Sequence, residues 1–181
     1  GHSLIKQKIF EESALLAGEM SGHIFCAENY YGFDDPLFAM CKILAIHAKD
    51  PHFICNALGS LKPSFFYEKK LFCLPQTSKK IISYIKATLA SEGLLYNDID
   101  GVRYTESGNF WLIRSSNTED LLVILIEAVT KEALYKIWSM LYRLLEGAMF
   151  LICDNERNDC LQQLRNIHKE FGLEVAHESV E

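Results

Sequence analysis

Two short strings carry most of the chemistry available to this chain. The first, Gly18-Glu19-Met20-Ser21-Gly22-His23, sets a carboxylate, a hydroxyl and an imidazole on alternate positions. The second, Arg114-Ser115-Ser116-Asn117-Thr118, gathers a guanidinium, hydroxyls and an amide. A glutamate accepts hydrogen bonds from sugar hydroxyls, a serine donates and accepts, and a histidine can carry charge beside a phosphate. An arginine fork grips two phosphate oxygens at once, and a polar loop with free backbone N–H groups makes an anion nest. Together the strings read as a sugar-phosphate site in two halves. Glu19 and Ser21 recognise hydroxyls; Arg114, Ser116, Asn117 and Thr118 recognise phosphate. Each half also fits a plainer description: a capped turn with a satisfied histidine, and a polar turn with a surface arginine.

Other groups point away from metal or nucleophilic chemistry. Asn97-Asp98-Ile99-Asp100-Gly101 contains a D-x-D-G, but the later ligands of a calcium loop are missing, so it reads as a turn before a strand. Asp34-Asp35 reads as a helix cap rather than a metal pair. The six histidines do not fall at metal-ligand spacing. The six cysteines form no C-x-x-C pair and sit mostly in apolar runs, which predicts reduced, buried thiols. No metal site is expected.

The elements that must position these groups are legible from periodicity. Apolar spacing predicts a helix over 2–10 and short buried strands over 14–17 and 23–27, so Gly18 and Gly22 bracket a tight loop. Asp34 and Asp35 before Pro36 predict a capped helix. A further short helix begins at Asp50-Pro51 and stops at Gly59. Residues 61–64 read as a linker. Beyond it come a strand at 67–74, an amphipathic helix at 77–91, strands at 101–105, 110–114 and 121–128, and a helix capped by Thr130 reaching about 153. A last amphipathic helix carries Leu161, Leu164, Ile167 and Phe171. The second half is therefore expected to be an antiparallel sheet covered by helices.

Composition narrows the partners. With 181 residues, 49% apolar, the chain can bury a core. Its 18 basic and 24 acidic residues give a net charge of −6, with no basic block, which argues against nucleic acid or a membrane surface as a partner. Any phosphate must be held by a local cluster. The start lacks a signal peptide, and the most apolar stretch, 137–152, is broken by Arg143 and Glu146.

Several motifs resemble one family in the same order. The Gly1-His2-Ser3-Leu4-Ile5-Lys6 start, the GEMSGH loop, Tyr31-Gly32-Phe33-Asp34-Asp35, Asp98-Ile99-Asp100-Gly101-Val102-Arg103 and the RSSNTE string resemble the α-D-phosphohexomutase superfamily. The similarity is greatest to its bacterial phosphomannomutase/phosphoglucomutase branch and runs to about residue 146. The resemblance implies a partial mixed α/β domain followed by an α+β domain. On this basis residues 1–63 are the C-terminal part of a sugar-recognition domain 3, 67–153 a phosphate-binding domain 4, and 154–181 a helical tail. It further implies a cytoplasmic enzyme that interconverts hexose 1- and 6-phosphates through a hexose 1,6-bisphosphate, with Mg2+ as cofactor. Glu19 and Ser21 would hold sugar hydroxyls, His2 and His23 would lie near the transferring phosphate, and Arg114, Ser116, Asn117 and Thr118 would clamp the other phosphate.

Departures are equally plain. Nothing resembles the family's T-A-S-H-N-P phosphoserine loop or its D-G-D-G-D-R metal loop, so the chain is expected to be a fragment without domains 1 and 2. Serine stands at 115 where the family usually has alanine, and aspartate at 120 where it has proline. Two rival readings are a phosphoglucosamine mutase fragment, which Met20 disfavours because that branch more often has glutamine there, and a non-catalytic sugar-phosphate-binding module. An incomplete domain 3 leaves apolar surface, so the fragment is expected to self-associate.

Overall fold

The computed structural model describes residues 1–116 and 118–177, with side chains described to Phe171. It divides into two compact units, Gly1–Leu61 and a second beginning at Lys62.

The first unit contains α1 (His2–Glu12), β1 (Leu16–Gly18), β2 (Ile24–Cys26), α2 (Pro36–Lys49) and α3 (Phe53–Ser60). β1 and β2 pair antiparallel, Leu16 opposite Cys26 and Gly18 opposite Ile24. The first strand begins two residues later than its apolar run. Ser13 takes a left-handed backbone, and the Ala14 amide donates to Ile9 O at 3.0 Å, so these residues finish α1. Asp35 caps α2, accepting from the Leu37 and Phe38 amides at 3.0 Å each, as its place before Pro36 predicts. The Tyr30 hydroxyl donates to the same carboxylate at 2.6 Å, and the Tyr30 ring stacks on Phe38 with centroids 3.8 Å apart. These bonds, the Tyr30 hydroxyl foremost, hold the Asp35 carboxyl below the ordinary aspartate range. α3 begins at Phe53 rather than at Pro51, and it runs through Gly59. It ends where Leu61 turns extended ahead of Pro63.

Little of this unit is buried. Its buried apolar residues are Phe25, Cys26 and Ala39, whereas Leu37, Met40 and Leu44 form an exposed stripe along α2.

The second unit is an antiparallel five-stranded sheet in the order β3-β7-β6-β5-β4. Its strands are β3 (Phe65–Phe72), β4 (Tyr96–Asn97), β5 (Val102–Glu106), β6 (Asn109–Ser115) and β7 (Leu121–Ala128), with helices α4 (Pro75–Ser91), α5 (Lys131–Ala148) and α6 (Asp154–His177). The sheet covered by helices is the architecture that the pattern predicts. α4 buries Ile81, Ile85 and Leu89, and α5 buries Leu134, Ile137, Trp138, Leu141 and Leu145. They meet Leu71, Trp111, Ile113, Leu122, Ile124 and Ile126 from the sheet in one core. Each such side chain is worth about 1.5–3 kcal/mol on burial, so stability is concentrated in this unit.

β3, β4 and α5 depart most from the sequence pattern. β3 starts at Phe65 and ends at Phe72, because the Leu74 amide leaves the sheet for Glu156 at 2.8 Å. The short β4, which periodicity does not reveal, pairs with β5. α5 ends at Ala148 and a 3-10 turn, Met149–Leu151, follows.

The last helix is part of the core. Cys160, Leu164, Ile167 and Phe171 are buried against it. Gln163 reaches the outer edge of β3, accepting from the Phe72 amide at 2.8 Å and donating to the Phe72 carbonyl at 3.0 Å. Arg157 donates to the carbonyls of Met149 and Ile152, at either end of the 3-10 turn after α5, at 2.9 and 2.6 Å. The cysteines do not all behave as buried thiols: Cys26, Cys73 and Cys160 are buried, while Cys41, Cys55 and Cys153 are exposed, and all six are free. Apolar neighbours in sequence bury a cysteine only where its own face of the element is covered. Burial, before any neighbouring charge, pushes the Cys160 thiol up to about 12. No helix among the described residues is long and apolar enough to cross a membrane.

A two-stranded sheet under an uncovered helix is marginal in water. The chain should therefore self-associate through the Leu37–Met40–Leu44 stripe. Sedimentation at rising concentration should show association, and Leu37→Glu with Leu44→Glu should restore the monomer. A monomer throughout the concentration range would refute this.

Candidate functional site

The GEMSGH string forms the loop between β1 and β2. The Glu19 amide donates to His23 O at 2.9 Å, and the Gly22 amide donates to Glu19 O at 2.9 Å. Gly22 sits at φ 91°, a backbone that L side chains resist, whereas Gly18 has no such requirement. Closing the loop this tightly aims Glu19, Ser21 and His23 at one another. Ser21 Oγ donates to Glu19 Oε2 at 3.2 Å, and His23 Nδ1 lies 2.6 Å from Ser21 Oγ and 3.0 Å from Glu19 Oε2. A carboxylate only accepts, so the neutral ring carries its proton on Nδ1 and leaves the Nε2 lone pair open.

His2, at the start of α1, joins this group. Its Nε2 is 3.8 Å from Glu19 Oε2, and its ring packs edge-on against His23 and Phe25, centroids 4.9 and 5.1 Å away. Partial burial raises the Glu19 carboxyl, but hydrogen bonds from the Gly1 amine, His23 and Ser21 outweigh it and hold Glu19 below the ordinary value. Asp34 completes the cluster, with Oδ2 3.9 Å from His23 Nε2. Sequence reasoning read Asp34 only as part of a cap. Asp35 does the capping, and a bridge between Phe25 and Asp34 carries Asp34 to the histidine. Nothing in local spacing signals that bridge.

The second string lies in the other unit. Arg114 is on β6 opposite Val123, half-buried, with Nε 4.0 Å from Asp100 Oδ2. Ser116 begins the loop, and its amide donates to Leu121 O at 2.9 Å. The expected nest differs in one respect. The amides of Thr118 and Glu119 are not free: they donate to Ser116 Oγ at 3.3 and 3.1 Å, so the hydroxyl organises the loop from within. Thr118 is exposed beside it, and Asn117 lies outside the described residues. The structure thus gathers His2, Glu19, Ser21 and His23 in one group, while Ser116 and Thr118 share the second loop and Arg114 stands on the strand before it, facing Asp100.

Two family models match this chain: the phosphoglucomutase/phosphomannomutase alpha/beta/alpha domain III over residues 1–61, and the C-terminal domain of the same family over residues 77–144. The chain belongs to the phosphoglucomutase/phosphomannomutase family. A phosphoglucomutase of Neisseria meningitidis serogroup A is 36% identical over 155 residues, spanning 84% of this chain and 34% of the relative. A phosphomannomutase/phosphoglucomutase of Pseudomonas aeruginosa is 36% identical over 139 residues, spanning 76% of this chain and 30% of the relative. The crystal structure of a phosphoglucomutase/phosphomannomutase family protein from Burkholderia thailandensis superposes with a TM-score of 0.67 at 38% identity, covering 82% of this chain and 31% of the other. The chain thus spans about a third of the length of these relatives. The C-terminal domain model stops at residue 144, so α6 lies beyond it.

One glycine ties the family turn at 98–103 to Arg114. Gly101 has φ 80°, and a Cβ there would lie 2.0 Å from Ile113 O and 2.8 Å from the Arg114 Cα. Gly101→Ala should cost about 3 kcal/mol or more in denaturant unfolding, because backbone must move. An unchanged midpoint would show that the turn has room.

Proposed function

We propose that this chain supplies the sugar- and phosphate-recognising part of a cytoplasmic phosphohexomutase acting on glucose and mannose phosphates. The observation that supports it most is the hydrogen-bonded group of Glu19, Ser21 and His23 on a domain III loop. Glu19 and Ser21 present acceptor and hydroxyl groups to sugar hydroxyls. His23 and His2 lie near the phosphate that moves, and the open Nε2 of His23 is placed to take or return a hydroxyl proton. Arg114, Ser116, Asn117 and Thr118 hold the phosphate that stays. A substrate that turns around through a hexose 1,6-bisphosphate needs such a clamp: it must be released and regrasped without covalent help from these residues.

Magnesium belongs to the proposed whole enzyme, where it would stabilise charge on the moving phosphate. It demands near-octahedral oxygen ligands, and the residues present do not fit it. Asp98 is paired with Lys86 at 3.0 Å, Asp100 faces Arg114, and the one ligand-capable cluster among the described residues is rich in nitrogen.

Two outcomes test the reading. The isolated chain should give no turnover in a coupled glucose 1-phosphate to glucose 6-phosphate assay with magnesium and glucose 1,6-bisphosphate, since it lacks a phosphoserine string. Clear turnover by pure chain would overturn this. In a longer protein that includes this segment, Arg114→Ala should lower kcat/KM by about 2–3 kcal/mol, the worth of a charge-assisted hydrogen bond to an anion. Arg114→Lys should recover only part of the loss, because the fork is gone. Unchanged kcat/KM in both variants would make Arg114 a surface residue.

A further inference from the structure

We propose that His2, His23 and Asp34 form a binding site for a divalent transition-metal ion of the zinc class, with Glu19 as its outer carboxylate. One ligand atom from each of the three lies within 4.8 Å of the others. Zinc holds nitrogen and oxygen at about 2.0–2.2 Å, which sets tetrahedral ligands roughly 3.4 Å apart. Closing the cluster therefore takes a movement of up to about 1.4 Å between ligand atoms, within reach of side-chain rotation on that geometry. The two histidines are 47% and 44% exposed, His23 oriented by Glu19 and Ser21, while Asp34, at 19%, is the more confined ligand.

The ligands come from three segments that converge on one residue. His2 packs edge-on against Phe25, His23 lies two residues before it, and Asp34 bridges to its backbone. Phe25 is fully buried, so the convergence is built into the unit. Two imidazoles with one carboxylate select zinc, cobalt or iron over magnesium or calcium. The outer sphere is also in place. Glu19 Oε2 accepts from His23 Nδ1 at 3.0 Å, fixing the tautomer that turns the Nε2 lone pair toward Asp34. A carboxylate behind a ligating histidine is the arrangement that raises ligand basicity in zinc sites. Three protein ligands leave a fourth position for water or an oxygen of a bound molecule.

The site has a regulatory consequence, which rests on the reading in the preceding subsection. Metal on His23 Nε2 withdraws the nitrogen assigned to the moving phosphate, so zinc would inhibit the whole enzyme. Binding itself does not depend on that reading.

The test uses the chain as it stands and cobalt(II) as a spectroscopic probe, with displacement by zinc. One equivalent should bind with a visible tetrahedral d–d band and no thiolate charge-transfer band, which the exposed Cys41, Cys55 and Cys153 would produce. His23→Ala and His2→Ala should abolish the band, with far-UV circular dichroism unchanged. Should either alanine variant unfold, Asp34→Asn and Glu19→Gln take its place. Glu19→Gln should weaken binding about tenfold to a hundredfold. N-terminal acetylation should keep the band and weaken binding no more than Glu19→Gln does, because the Gly1 amine meets Glu19 and is not a ligand. The proposal is overturned by absent binding at millimolar cobalt, by a thiolate band, by loss on acetylation, or by a band indifferent to the folded variants. Binding of glucose 1-phosphate to metal-free chain, followed by NMR, reports separately on the sugar-phosphate reading.

Discussion

The second unit depends on one strand paired along both of its edges. β7 pairs with β3 along one side and β6 along the other, and Leu121 to Ile124 are buried without interruption. Its even positions lie under α4 and α5 in the core. Such a strand has little freedom of register. A slip of one residue would carry Glu127 toward the helices, and an unpaired buried charge costs several kcal/mol. The same register sets Arg114 opposite Val123 and Ser115 opposite Leu122. The loop that follows therefore leaves the sheet at a fixed place. A site on a loop gains its accuracy from the rigid element that launches it.

The first unit positions its groups differently. Few residues there are buried, and geometry comes from short hydrogen bonds: the closed Glu19–His23 loop, the Asp35 cap with Tyr30, and the bridge between Phe25 and Asp34. Hydrogen bonds of this kind add about 0.5–1.5 kcal/mol each, less than a core side chain. They give direction to side chains but do little to hold a unit closed. The chain therefore joins a stable scaffold for the Arg114 loop to a Glu19–His23 loop that depends on local bonds.

What the sequence revealed follows the range of the forces involved. Apolar runs and periods located β7, α4 and α5, and cap chemistry located Asp35 and Thr130, because these signals act over a few residues. The glycine loop at 18–22 and the Arg114 string were visible for the same reason, and they also carried the family resemblance. Signals with a tertiary origin were not visible. β4 is a strand only because β5 lies beside it. Asp34 joins His23 through a bridge, and Ser116 turns its hydroxyl inward onto amides that the string alone left free. Three cysteines in apolar surroundings proved exposed because their faces are uncovered. Gly59, a usual stop, is carried through by α3, whose end is set instead by extended backbone ahead of Pro63.

Gln163 deserves a different description from that of a packing residue. Its side-chain amide both donates to and accepts from Phe72, which is what a neighbouring peptide unit does in a ladder. The outer edge of β3 therefore ends in a counterfeit strand one residue long. An incoming chain could extend the sheet only after displacing α6, together with the burial of Leu164 and Phe171 that anchors it. Resistance of this edge to amyloid-like growth is then a property of helix docking, and it lapses when the helix lifts, even while the sheet stays folded.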